Sequence, residues 1–163
     1  MNIDEKIKSL REKNSEISKL KNEAYSISKE VFESWCRDVF EKNPRLESFS
    51  WNQYTPYFND GDTCVFSANT DYLKINGEYA DDSDWISEST VTSWGTYNRE
   101  TKKYEGRVET PNESYDAELD KVTQEIKDFL CLFDDDFYIR KFGDHSEITV
   151  TKEGIEVEEY EHD

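Results

Sequence analysis

Glycine, proline and histidine are all scarce in this chain, at 6, 3 and 2 of 163 residues. The few glycines form no phosphate-cradling loop, no dinucleotide fingerprint and no Gly-x-Ser-x-Gly elbow, so the motif-bearing enzyme classes are not represented. Two histidines without ligand spacing give little from which to build a metal or acid–base centre. Cys36, Cys64 and Cys131 are odd in number and far apart, which argues against a disulfide framework. They read as reduced, buried, small hydrophobes in a cytoplasmic protein. No apolar run approaches the length of about 20 residues that a membrane helix needs, and no secretory signal is recognisable. Neither membrane contact nor a cofactor is expected.

Positive charge is also short, with 20 basic against 38 acidic residues and a formal net charge of −18. Residues 1–42 hold nine acids and nine bases, so the whole excess lies in residues 43–163. Such a surface repels nucleic acid and anionic lipid and attracts a basic protein groove. Acidity alone more often means only solubility.

Aromatic side chains are plentiful, with 9 Phe, 10 Tyr and 4 Trp, while aliphatic ones are sparse. A core built from rings suits one α+β domain over residues 1–163, an antiparallel sheet covered by helices. Residues 1–43 read as a long helix, because Gly and Pro are missing until Pro44 and apolar residues recur at steps of three and four. It is either one helix or two joined near Ser26–Ser28. Its first half carries a narrow seam of Ile7, Leu10, Asn14 and Ile17. Asn14 stands where a paired asparagine sets register in a parallel dimer, so this stretch is the expected site of homo-oligomerisation.

Ser48–Tyr54 alternates Phe49 and Trp51 with polar residues, and Cys64, Phe66 and Ala68 continue the alternation beyond a turn, predicting an antiparallel hairpin. Phe49, Trp51, Phe66, Ile148 and Val150 are the expected core. Residues 78–110 read as an insertion containing a ribbon through Val91–Tyr97 and Tyr104–Val108. Thr110-Pro-Asn-Glu113 has the form of a capping box with proline at the first helical position, predicting a helix from there to Phe133. Phe137–Phe142, Glu147–Thr151 and Ile155–Tyr160 then read as three strands.

Trp51-Asn-Gln-Tyr-Thr-Pro-Tyr-Phe-Asn-Asp-Gly-Asp62, Phe142-Gly-Asp-His145 and Gly154-Ile-Glu-Val-Glu-Glu-Tyr160 together resemble a family of small uncharacterised proteins of bacteriophages and some bacteria. The resemblance covers about a third of the chain. It implies a phage or bacterial origin and a bacterial host cell as the place of action, and it carries no catalytic residue.

Three functional readings follow. The first is a non-enzymatic acidic interaction protein that inhibits a host defence or nucleic-acid-processing protein by binding its basic surface. Asp81, Asp82, Asp84, Glu156 and Glu158 would stand in for a row of phosphates. The second is a binder of a small nucleotide signal, using Tyr54, Tyr57, Trp85, Trp94 and Tyr97, with Arg99, Lys102, Lys103 and Arg107 as the available cations. Trp94 and Tyr97 should be the more exposed pair. The third is a metal-dependent hydrolase built from Asp60, Asp62, Asp144 and His145, with His162 or Asp163 completing it. A tight polar turn explains Asn59-Asp-Gly-Asp62 more simply.

Overall fold

The computed structural model describes residues 2–58, 60–82 and 90–162, with the backbone alone for Asp82 and Val91. The expectations placed on Asn59, Asp84, Trp85, Asp163 and the Asp82 side chain lie outside the described residues.

Helix α1 runs unbroken over Ile3–Lys42. Its start is a reciprocal cap, in which the Glu5 amide donates to Asn2 Oδ1 at 2.9 Å and the Asn2 amide donates to Glu5 Oε2 at 2.8 Å. Its end is the Asn43 side chain, which donates to the Val39 carbonyl at 2.8 Å just before Pro44. Only the C-terminal half is buried, through Phe32, Cys36, Val39 and Phe40. Residues 2–24 are exposed apart from half-buried Ser9, so the first half of α1 projects as an arm.

The fold is α+β. Strand β1 (Ser48–Tyr54) is central, and beside it lie β2 (Ser67–Ala68), β3 (Lys74–Ile75) and β4 (Glu78–Tyr79). The chain then makes a 3-10 turn over Ala80–Asp82 and passes through β5 (Thr90–Ser93), β6 (Thr96–Asn98), β7 (Lys103–Glu105) and β8 (Val108–Pro111). Helices α2 (Ala117–Leu130) and α3 (Asp135–Phe142) precede β9 (Ser146–Thr151) and β10 (Ile155–Glu159). The main sheet is antiparallel in the order β10-β9-β1-β3-β4, with β2 also on β1. Pairs β5–β8 and β6–β7 form two separate ribbons in the 78–110 region.

Register puts Phe49 opposite Val150 and Trp51 opposite Ile148. All four are buried on the face that meets the helices, while Phe66 is half-buried against the same core. Phe32 is fully buried, with the rings of Trp51, Phe129, Phe133, Phe137 and Phe142 at 5.5–6.4 Å. Buried Gln53 closes the polar account: its amide donates to the carbonyls of Tyr138 and Gly143, and its oxygen accepts from Trp51 Nε1. The Gly143 carbonyl belongs to the cap of α3, beyond the bond from the Gly143 amide to the Ile139 carbonyl, where intrahelical partners run out.

The structure corrects four expectations. Phe137–Phe142 is helical: Asp134 caps α3 by accepting from the Phe137 amide at 2.9 Å, and Asp135 and Asp136 stand in its first turn. The aspartates that looked unfavourable at the end of one helix are favourable at the start of the next. Thr110 and Pro111 belong to β8, paired with Val91 and Thr90, so the second helix begins later, capped by Asp116. The first hairpin is reduced to the pairs Gln53–Ala68 and Tyr54–Ser67, and Cys64 and Phe66 lie outside any strand. Finally, only Cys36 is buried; Cys64 is half-buried and Cys131 exposed.

Trp51→Ala should cost about 3–5 kcal/mol, read as a fall in the denaturant midpoint, because it empties the middle of a ring-packed core. Thiol labelling supplies a second check. Burial pushes the Cys36 thiol up to about 12, so at neutral pH Cys131 should react readily and Cys36 only after unfolding. Equal rates at both would contradict this packing.

Candidate functional site

Side chains alternate across a strand, so the residues between Phe49, Trp51, Ile148 and Val150 point away from the helices. On β1, β3, β9 and β10 these are Ser50, Asn52, Lys74, Glu147, Thr149, Glu156 and Glu158. Glu156 stands opposite Thr149, and Glu158 opposite Glu147. Two carboxylates facing each other across a ladder repel. Lys74 offsets one of them, bonding Glu147 at 2.6 Å; that bond, ahead of the opposing effect of burial, lifts the lysine above its usual range. Glu156 and Glu158 are exposed and have no ion-pair partner among the described residues.

At one end of this open face the chain gathers rings that are far apart in sequence. The backbone of Tyr160 extends the β10–β9 ladder, its amide donating to the His145 carbonyl at 2.8 Å. His145 Nδ1 and His162 Nε2 are 3.1 Å apart, and the two imidazoles lie within 12° of parallel. Tyr57 stacks on both, with ring centroids 4.9 Å from His145 and 4.6 Å from His162. Tyr54 lies 3.9 Å from His162 and 5.5 Å from Tyr160. A hydrogen bond between two imidazoles needs one nitrogen to donate and the other to accept, so the tautomers of the two rings are coupled.

Two local features hold this cluster. His145 has φ of 50°, a left-handed conformation that is uncommon for a residue with a side chain. Asp144 accepts from the Thr55 amide at 2.8 Å, the Thr55 hydroxyl at 2.7 Å and the His145 amide at 2.8 Å. Partial burial works to raise the Asp144 carboxyl, but these bonds outweigh it and hold it below the ordinary carboxylate value. The carboxylate thus ties the loop after β1 to the loop before β9.

The other sequence-predicted residues are dispersed. Asp81 pairs with Lys127 of α2 at 3.1 Å. Trp94 and Tyr97 are exposed at 58% and 47%, and sit on the ribbons beside Tyr104. Arg107 lies over Trp94 at 4.8 Å and bonds Glu109 at 2.7 Å, which engages one of the expected phosphate-binding cations. Asp60 and Asp62 are exposed in the turn after Tyr57. Among the described residues no three His, Cys, Asp or Glu side chains come together closely enough to hold a metal ion. Ile7, Leu10, Asn14 and Ile17 lie on the exposed arm. Thr55, Tyr160 and the His145–His162 contact carry no local sequence signal, because the loops concerned meet only through the sheet.

The Asp144 clamp has a defined pH dependence. A carboxyl whose folded-state pKa lies below its unfolded value of about 3.8 contributes stability that is full above that value and is lost as pH falls through the folded-state pKa. Asp144→Ala should therefore lower stability by about 1.5 kcal/mol at neutral pH, the low end for bonds to a charged group because the carboxylate is part-solvated. The gap to wild type should narrow below about pH 4. A gap of the same size at pH 7 and pH 3 would show that the charge contributes nothing.

No protein-family model, no curated protein and no solved structure matches this chain.

Proposed function

We propose that the protein is a non-enzymatic interaction protein of phage origin that binds a basic surface on a host defence or nucleic-acid-processing protein and inhibits it, working as a homo-oligomer joined through α1. The observation that supports this most is the open sheet face. Glu156 and Glu158 project from an edge strand with no ion-pair partner among the described residues, next to exposed Tyr57 and the half-buried rings of Tyr54 and Tyr160. Unpaired carboxylates beside amphipathic rings are the surface that a lysine- or arginine-rich partner complements. The net charge of −18, confined to residues 43–163, adds a long-range field of the same sign.

The nucleotide-signal reading has less support. The depression beside the ring cluster is lined by Tyr57, Glu159, Tyr160, Glu161 and His162, with two carboxylates and no lysine or arginine. Arg99, Lys102, Lys103 and Arg107 all belong to the ribbon region, where Arg107 is already paired. A phosphate at the depression would meet like charge.

Capture from bacterial lysate at low and high salt supplies the partner, and its association rate tests the reading. Screening length falls from about 10 Å at 0.1 M salt to about 3 Å at 1 M, so the rate should drop at least about tenfold across that range. The double variant Glu156→Lys, Glu158→Lys should slow association further at low salt and leave the melting temperature within a few degrees. A rate that is flat in salt and indifferent to the reversal would overturn the proposal.

A further inference from the structure

The apolar seam of the arm lies on the same side of α1 as the residues that bury it in the body. Stepping back from Phe32 by threes and fours passes Ser28, Tyr25, Lys21, Ile17, Asn14, Leu10, Ile7 and Ile3. Asn14 is eighteen residues from Phe32, about five whole turns at about 3.6 residues per turn. The face that meets Trp51 and Phe137 along the second half of the helix therefore continues uncovered along the first, where Ile3, Leu10 and Ile17 are 68%, 61% and 51% exposed. Most helical stability in proteins comes from packing an amphipathic face, and along the arm that packing is missing.

We infer that the partner is a second copy of this chain and that the two arms pair antiparallel. The inference rests on the self-association proposed above and adds its geometry. A parallel partner helix would lie about 8–10 Å from α1 on the seam side along its whole length. Beside Phe32, Cys36 and Val39 that space is filled by the body itself. An unbroken helix without glycine or proline before Pro44 cannot swing out to avoid it. The antiparallel pair has no such clash, because each arm ends where the other body begins.

Charge agrees with that arrangement. Residues 2–21 carry Asp4, Glu5, Glu12 and Glu16 against Lys6, Lys8, Arg11, Lys13, Lys19 and Lys21, a slight positive excess. The bodies carry the −18 and repel, so the arrangement that separates them wins. The N-terminal end of each arm, where Asp4 and Glu5 balance Lys6 and Lys8, then reaches the other copy's elbow, where a cleft of about 260 Å³ is lined by Lys21, Ala24, Leu132, Phe133, Asp134 and Asp136 among others. Leu132, 75% exposed, offers apolar cover for the incoming Ile3 and Ile7.

Sedimentation of the full chain should give a dimer, and Leu10→Asp should weaken it by about 100-fold or more, since each copy loses a buried leucine. Spin labels then decide direction. Cys64 and Cys131 are replaced by serine, Cys36 is buried, and single cysteines are placed at exposed Lys8 or Ser26, off the seam. These sites are eighteen residues apart, about 27 Å along the axis at about 1.5 Å per residue. In an overlapping antiparallel pair the two like-site separations along the axis add to about 54 Å whatever the register, so at least one distance must exceed about 25 Å. Short distances at both sites would mean a parallel dimer, which overturns the geometry and leaves self-association standing. A monomer would overturn both.

Discussion

Phe32 is the point on which this structure turns. It comes from the long helix, yet its ring neighbours are Trp51 of the central strand, Phe129 of α2, Phe137 and Phe142 of α3, and Phe133 of the link between those helices. A chain with few aliphatic residues can fill a core only by interlocking rings, and edge-to-face contact at about 4.5–7 Å is the geometry in which rings attract beyond their buried area. One position thus joins every layer. It also sets how α1 sits, because anchoring at Phe32, Cys36, Val39 and Phe40 leaves the first half of the helix exposed.

That anchoring gives the molecule its two unlike surfaces. The arm is close to neutral and bears an apolar seam; the body is strongly acidic and shows water an open sheet face. Polar ties hold the junction: Arg140 of α3 covers the Tyr25 ring at 4.0 Å and bonds Asn22, and Lys141 bonds Glu33 at 2.7 Å. The Lys141 bond outweighs the upward effect of partial burial and holds the Glu33 carboxyl below its usual range. The elbow is therefore a built corner and not a frayed end. The apolar seam and the acidic sheet face thus lie at different ends of the chain.

The ring cluster at the sheet end shows how a polar site arises from loops. Tyr54 ends β1 and Tyr57 follows it, His145 precedes β9, and Tyr160 and His162 follow β10; pairing of β1 with β9 and of β9 with β10 brings the three segments together. Asp144 and the left-handed backbone at His145 then set the angle of the stack. The histidine pair supports no metal centre among the described residues. Its rings lie stacked against Tyr57.

By itself the sequence determined what depends on near neighbours. Helical structure up to Pro44 follows from a long run without glycine or proline, the placing of Phe49 and Trp51 in the core from alternation, and the acidic body from composition; that one unbroken helix and not two fills the first stretch is seen only in the structure. Where a local signal had two uses, only the tertiary structure decided between them. Asp134–Asp136 could end one helix or begin another, and the burial of Phe137, Tyr138 and Phe142 selects the second. Thr110 could cap a helix or sit in a strand, and pairing with Val91 selects the strand. The meeting of His145 with His162 and the tie from Gln53 to the end of α3 were out of reach for a more basic reason. Each depends on a distance between residues remote in sequence, and sheet pairing and helix docking fix such distances where local periodicity does not.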